Sequence, residues 1–188
     1  MITAIDKHTA LVLIDLQKGI VSMDVVHPVK EILEQAALLL DAFRKANKPV
    51  VIVHVKPAGA WLSARKDFVR PSGTPMEGFT EIVEEIETQP DDIFVTKHTW
   101  SAFHDTALHE ELQQRGITGI VLAGISTGIG VEGTARTASA LGYNISFATD
   151  AMTDTSLDAH VHSIRNIFPR LGEVGMVSDV IQKLGEGA

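Results

Sequence analysis

Three polar or glycine-rich stretches follow directly on apolar runs. Asp15 follows Ala10 to Ile14, Lys97 follows Asp92 to Thr96, and Gly124-Ile125-Ser126-Thr127-Gly128-Ile129-Gly130 follows Gly119 to Ala123. A carboxylate and an ammonium brought together form a charge pair, and partial burial tunes such a carboxylate toward proton transfer near neutral pH. Taken alone, each has a plainer use: Asp15 can cap a helix, and Lys97 can sit in solvent. A glycine-rich turn serves a tight strand-to-helix connection, and it equally presents backbone N–H groups to an anion or a developing oxyanion. It is not a phosphate loop, because the Gly-x-x-x-x-Gly-Lys-Ser/Thr pattern is missing. Ser126 and Thr127 lack the Gly-x-Ser-x-Gly setting of an activated hydroxyl and are read as hydrogen-bonding residues of the turn.

Whether these groups meet depends on the elements that carry them. Short Val- and Ile-rich runs alternate with longer segments of helical period, which is the pattern of a parallel sheet flanked by helices. Six strands are expected: Ala10 to Ile14, Val50 to Val55, Asp92 to Thr96, Gly119 to Ala123, Ile145 to Ala148 and Val174 to Val177. They are mostly too uniformly apolar for a sheet with one wet face, so the expected fold is an α/β three-layer sandwich with both faces covered. Val29, Ile32, Leu33, Ala36, Leu40 and Phe43 recur at helical spacing after Pro28. Further helices are expected over Asp105 to Arg115 before Gly116, Val131 to Leu141 before Gly142, Leu157 to Phe168 before Pro169, and Ser178 to Leu184. The segment from Lys56 to Asp91 breaks this rhythm with prolines and glycines and holds one helical patch, Ile82 to Ile86; its length marks a functional loop. In a parallel sheet all strand C-termini reach one edge, and ligands bind there near the point where strand order reverses. Asp15, Lys97 and the glycine-rich turn are therefore expected to converge.

Composition narrows the function. The 188 residues are read as one domain, 1–188, since a core of this size buries roughly 70% of the unfolded chain's surface. Apolar residues at 45% and charged residues at 21% match an ordinary globular chain. A net charge of -8 with scattered Lys and Arg argues against nucleic acid. No cysteine is present, which excludes disulfides, thiolate metal sites and thiol nucleophiles. The N-terminal apolar run is interrupted by Asp15 and is far shorter than the about 20 residues of a membrane span, so a cytoplasmic location is expected and no membrane partner. His98, His104, His109, His160 and His162 lack the spacing of a helical metal-ligand pair, and no metal is expected. Trp61, Trp100 and Phe103 flank the cleft as candidate walls of an apolar pocket, although packing between subunits would use them equally well.

The blocks LVLIDLQKG, VTKHTWSAFHDTALHEELQQRGI, IVLAGISTGIGVEGTARTASALGYNISFATDAMTD and HSIRNIFPRLGEV resemble the isochorismatase-like hydrolases in order and spacing. The similarity covers nearly the whole chain outside Lys56 to Asp91. It implies a six-stranded parallel sheet of Rossmann type, a small-molecule substrate, no cofactor, and a homo-oligomer of unstated size. It also implies a catalytic Asp, Lys and Cys, of which the first two fall on Asp15 and Lys97. The third falls on Gly130, where the usual GVATxxCVExTA turn reads GISTGIGVEGTA. The resemblance further implies a non-proline cis peptide between Ile125 and Ser126, aiming the Ser126 and Gly130 N–H groups into the pocket. Thr127, Trp100 and Phe103 join Ser126 and Gly130 as candidate substrate contacts, with Lys56 and Arg65 as candidates for a substrate carboxylate.

Covalent thiol chemistry is impossible without cysteine. True isochorismatases also look similar in having glycine at that position; there the Asp protonates a vinyl carbon and water adds. The sequence thus points to a metal-independent hydrolase using Asp15 and Lys97 on an isochorismate-like vinyl ether. Two alternatives stand beside it: an inactive binding or assembly protein on the same scaffold, and a Cys-free amidohydrolase.

Overall fold

The structure, a computed structural model, describes residues 1–56 and 76–186. Six strands, β1 (Thr9–Ile14), β2 (Val50–Val55), β3 (Ile93–Lys97), β4 (Gly119–Ile125), β5 (Asn144–Thr153) and β6 (Glu173–Gly175), form one sheet. Its order is β3-β2-β1-β4-β5-β6 and every pairing is parallel. The order reverses between β1 and β4, which puts a crevice at their C-terminal ends.

The period-2 alternation of β1 divides the core. Ala10, Val12 and Ile14 face one layer, with Ala135 and Ala138 of α4 (Glu132–Ala140) and Leu108 and Leu112 of α3 (Leu108–Gln114). Leu11 and Leu13 face the other, with α2 (Val29–Lys45) and α6 (Val177–Glu186). Burial on both faces is why β1 and β4 carry no polar face: all of their residues are buried. A short α1 (Lys18–Val21) follows β1, and α5 (Leu157–His162) follows β5. No described helix is long and apolar enough to cross a membrane.

Several boundaries depart from the sequence expectation, each for a local reason. β3 runs one residue later than expected and includes Lys97, because its inward positions Ile93, Val95 and Lys97 all point at the core. β5 extends well past Ala148, to Thr153. Leu122 pairs with Phe147 but Gly124 with Met152, so the strand bulges and then rejoins β4. β6 is the short Glu173–Gly175 instead of Val174 to Val177, and Val177 opens α6, where its side chain is buried. The helix expected from Asp105 begins at Leu108, since Asp105 has φ 52°. The helix expected from Val131 is preceded by a wide π turn, Thr127–Val131. Pro169 does not stop the chain's coiling: a π turn (Ser163–Ile167) runs into a 3-10 turn (Phe168–Arg170), and proline is tolerated at its start. The patch Ile82 to Ile86 is not helical. Ile82 forms an antiparallel bridge with Gln17, while Val83 and Ile86 are buried on the α2 face.

Candidate active site

Asp15 leaves β1 in the left-handed region, with φ 53°, a conformation that Asp adopts more readily than most residues. Strand alternation would have sent its side chain to the α2 face, opposite Ile14. The left-handed residue ends the alternation, and the carboxylate meets Lys97, which shares a face with Ile93 and Val95. Lys97 Nζ lies 2.7 Å from Asp15 Oδ2, with both side chains over nine-tenths buried. The ammonium also donates to the Thr99 carbonyl at 3.2 Å. Asp15 Oδ1 is buried and has no hydrogen-bond partner among the described residues. Burial pushes the Asp15 carboxyl up to about 6, because desolvation outweighs the opposing pull of the Lys97 charge and hydrogen bond.

The turn after β4 supplies the third side of the site. Gly124 has φ 121°, and any side chain there would overlap the Ile14 carbonyl oxygen, so only glycine lets β4 pass this close to β1. The Ile125–Ser126 peptide is cis. Ser126 O then accepts from Ile129 N at 3.2 Å and Val131 N at 3.1 Å, which closes the wide turn. At Gly130 a Cβ would stand 2.9 Å from Ile14 Cγ2 and 3.3 Å from Asp15 Oδ2. Gly130 therefore faces the carboxylate directly and presents only backbone to it.

The turn is braced from β5. Thr127 is fully buried, and its hydroxyl donates to Thr153 O at 3.0 Å. Having given its only proton there, the hydroxyl can only accept from His160 Nδ1 at 2.8 Å, which fixes the imidazole tautomer. Burial and the nearby His27 hold the His160 pKa below its ordinary value, against the pull of Asp154. Asp154, itself buried, accepts from Gly128 N at 2.7 Å. Thr127 is thus a brace of the turn, the hydrogen-bonding role read for it from the sequence.

Phe103 packs away from the ion pair. It is buried and stacks on Tyr143, which immediately precedes β5 and hence lies at the opposite sheet edge from Asp15. Trp100 is 54% exposed and sits over the first turn of α4, where a side chain on Gly133 would meet its Cβ. Lys56 is exposed, and its N–H continues the β2–β3 ladder onto Lys97 O at 2.9 Å. Arg65 and Trp61 lie outside the described residues. His27 and His160 lie ring against ring, and the others are dispersed: His98 pairs with Lys56 O, His109 with Tyr143 and His162 with Asn166, while His104 lies beside Asp105. Among the described residues no cluster of His, Asp and Glu can hold a metal ion.

Two surface cavities lie away from the pair. One, of about 320 Å3, opens at the strand N-termini between Asp6 and Glu173, and the other, of about 530 Å3, lies between β3 and α3. Sequence reasoning missed Gln17, Asp154 and His160 as parts of the site's scaffold. Only the position of Asp154, just past an apolar strand, offered a signal of the kind that exposed Asp15.

The isochorismatase domain family matches residues 9–179. The chain is 41% identical over 180 residues to the isochorismatase family protein YwoC of Bacillus subtilis, covering 94% of each chain. It is 38% identical over 182 residues to YecD of Escherichia coli, covering 95% of this chain and 97% of that one. A solved isochorismatase family protein from Burkholderia thailandensis superposes with a TM-score of 0.90 at 40% identity, over 98% of this chain and 100% of the other. With a matching domain over most of its length and relatives of similar length sharing its parallel sheet, this chain belongs to the isochorismatase family of hydrolases.

Proposed function

We propose that the chain hydrolyses a vinyl ether on a small, ring-bearing carboxylated substrate, with Asp15 as general acid and Lys97 as its partner. The observation that carries this reading is that Gly130 faces Asp15, so that a Cβ at this glycine would stand 3.3 Å from Asp15 Oδ2. Among the described residues the Asp15 carboxyl, paired with Lys97, is the acid that faces the position where a nucleophile would stand, and its pKa of about 6 keeps an appreciable acid fraction near neutral pH.

Lys97 occupies Oδ2, so the acid's proton resides on the unpartnered Oδ1. Transfer of that proton to the terminal vinyl carbon turns the CH2 into a methyl group and leaves an oxocarbenium ion. Water adds to the cationic carbon. The resulting hemiketal breaks its bond to the ring oxygen, giving pyruvate and a ring alcohol, and the proton released from water restores Asp15. Lys97 offsets the carboxylate formed after transfer, and no covalent intermediate is required. A side chain at position 130 would crowd Oδ2, so glycine leaves that approach to substrate or water.

The test is incubation with isochorismate while following pyruvate, with Asp15→Asn as control. Pyruvate release that disappears in the variant supports the assignment. Ammonia from a nicotinamide and simple-amide panel without pyruvate would replace vinyl-ether chemistry by amide hydrolysis. Undiminished pyruvate release by Asp15→Asn would remove Asp15 from the mechanism.

A further inference from the structure

One buried amide ties together the three backbone segments around the ion pair. Gln17 is fully buried, two residues beyond Asp15. Its Nε2 donates to Val55 O at 3.0 Å and to Phe79 O at 2.9 Å, and its Oε1 accepts from Val55 N at 2.7 Å. Both donors and the acceptor of the amide are satisfied. The backbone on either side is fastened to the same returning segment. Lys18 N donates to Glu81 O at 2.8 Å, Gly19 N to Phe79 O at 3.1 Å, and Val83 N to Leu16 O at 3.2 Å. A side chain on Gly19 would overlap the Phe79 ring, so the two segments lie in close contact.

The geometry at Val55 shows what this arrangement does. The last β1–β2 backbone bond runs from Asp15 N to Val53 O, at 2.9 Å. Two residues on, β1 has ended, and the Gln17 amide grips both the N–H and the carbonyl of Val55 as a further β1 residue would. Val55 is the register partner of Lys97 on β3. The amide therefore holds the end of β2, the strand lying between the carrier of Asp15 and the carrier of Lys97. Without it, Val55 loses both its partners on the β1 side, and beyond the Asp15 N–Val53 O bond nothing among the described residues on that side holds the end of β2 that carries Lys97's neighbour.

We propose that Gln17 is a positioning residue, a side-chain extension of β1 that sets the Asp15–Lys97 separation. Its meaning for catalysis rests on Asp15 being the acid, but its effect on the pair can be read without substrate. Lys97 is the charged group that faces Asp15 among the described residues, and it lowers the carboxyl pKa. Gln17→Met keeps the length of the side chain and removes the amide. Titrating the Asp15 carboxyl by carbon NMR in the folded variant should show its midpoint raised by roughly one unit or more, as the Lys97 contact loosens. An unmoved or lowered midpoint overturns the proposal, since a residue that merely stabilised the fold would leave the titration in place. Should Gln17→Met not fold, amide exchange in the wild type decides the matter. Val55 N–H protected as strongly as its neighbours within β2 supports the clamp, and fast exchange overturns it. Absence of turnover by the wild type would sink the vinyl-ether reading and leave the clamp standing; an unmoved titration would do the reverse.

Discussion

Replacing Lys97 by methionine should destabilise the protein in a manner that depends steeply on pH. The substitution keeps much of the apolar stem and leaves Asp15 buried without its counter-charge. Removing one partner of a buried pair costs about 3–5 kcal/mol when the remaining group stays ionised. The pH dependence follows from the acid. In the native protein the Asp15 pKa is raised from 3.8 to about 6, so its favourable contribution is complete below 3.8 and is lost as pH rises through about 6. In Lys97→Met the folded pKa moves higher still, and the loss continues at pH values where the native protein has already reached its plateau. The penalty should thus be roughly flat below pH 6. It should then grow by about 1.4 kcal/mol per pH unit until the variant's own pKa is reached, or up to about 3 kcal/mol between pH 6 and 8. Urea unfolding at pH 5, 6, 7 and 8, followed by circular dichroism at constant m, measures it. A penalty that is the same at pH 5 and pH 8 would refute the coupling of a buried Asp15 to Lys97.

Four further outcomes are expected. Asp15→Asn should lower kcat for pyruvate release by about 10²–10⁴-fold while leaving the circular dichroism spectrum native. With the acid form required, native kcat should fall about tenfold per pH unit above about 6, and a flat profile to pH 8 would exclude Asp15 as the acid. Gly130→Cys should destabilise by about 1–3 kcal/mol because its Cβ meets Ile14 Cγ2; Ile14→Leu, which removes that branch, should recover part of the loss, and strictly additive penalties in the double variant would show the clash is not the cause. Asp154→Ala should cost about 1–3 kcal/mol through the orphaned Gly128 N–H, with Asp154→Asn largely sparing it, as thermal or urea unfolding of the two would show.

Asp15 and Lys97 were legible because each is a polar residue set at the end of an apolar run, and in a parallel sheet such ends share an edge. The strands themselves were legible for the same reason: a buried strand must be apolar on both sides. What sequence could not show was pairing across distance. Gln17 drew no reading, since nothing in its spacing reveals partners at Val55 and Phe79. Thr127 and His160 stand far apart in the chain and meet only because β5 bulges and rejoins β4. Ile82 and Ile86 have helical spacing, yet local period cannot distinguish a helix from a bridge and turn that bury Val83 and Ile86. Phe103 was read as a cleft wall from its place beside a predicted loop, whereas its ring stacks on Tyr143.

The two members of the ion pair are carried by strands of unequal security. Asp15 leaves β1, which is hydrogen-bonded on both sides, while Lys97 closes β3, the outermost strand on its side of the sheet. Partial opening of a sheet begins where backbone bonds are fewest, so β3 should detach in excursions that leave β1 intact. On warming, the acid would then lose its counter-ion while most of the sheet still stands, and activity would fade at a lower temperature than the bulk of the fold.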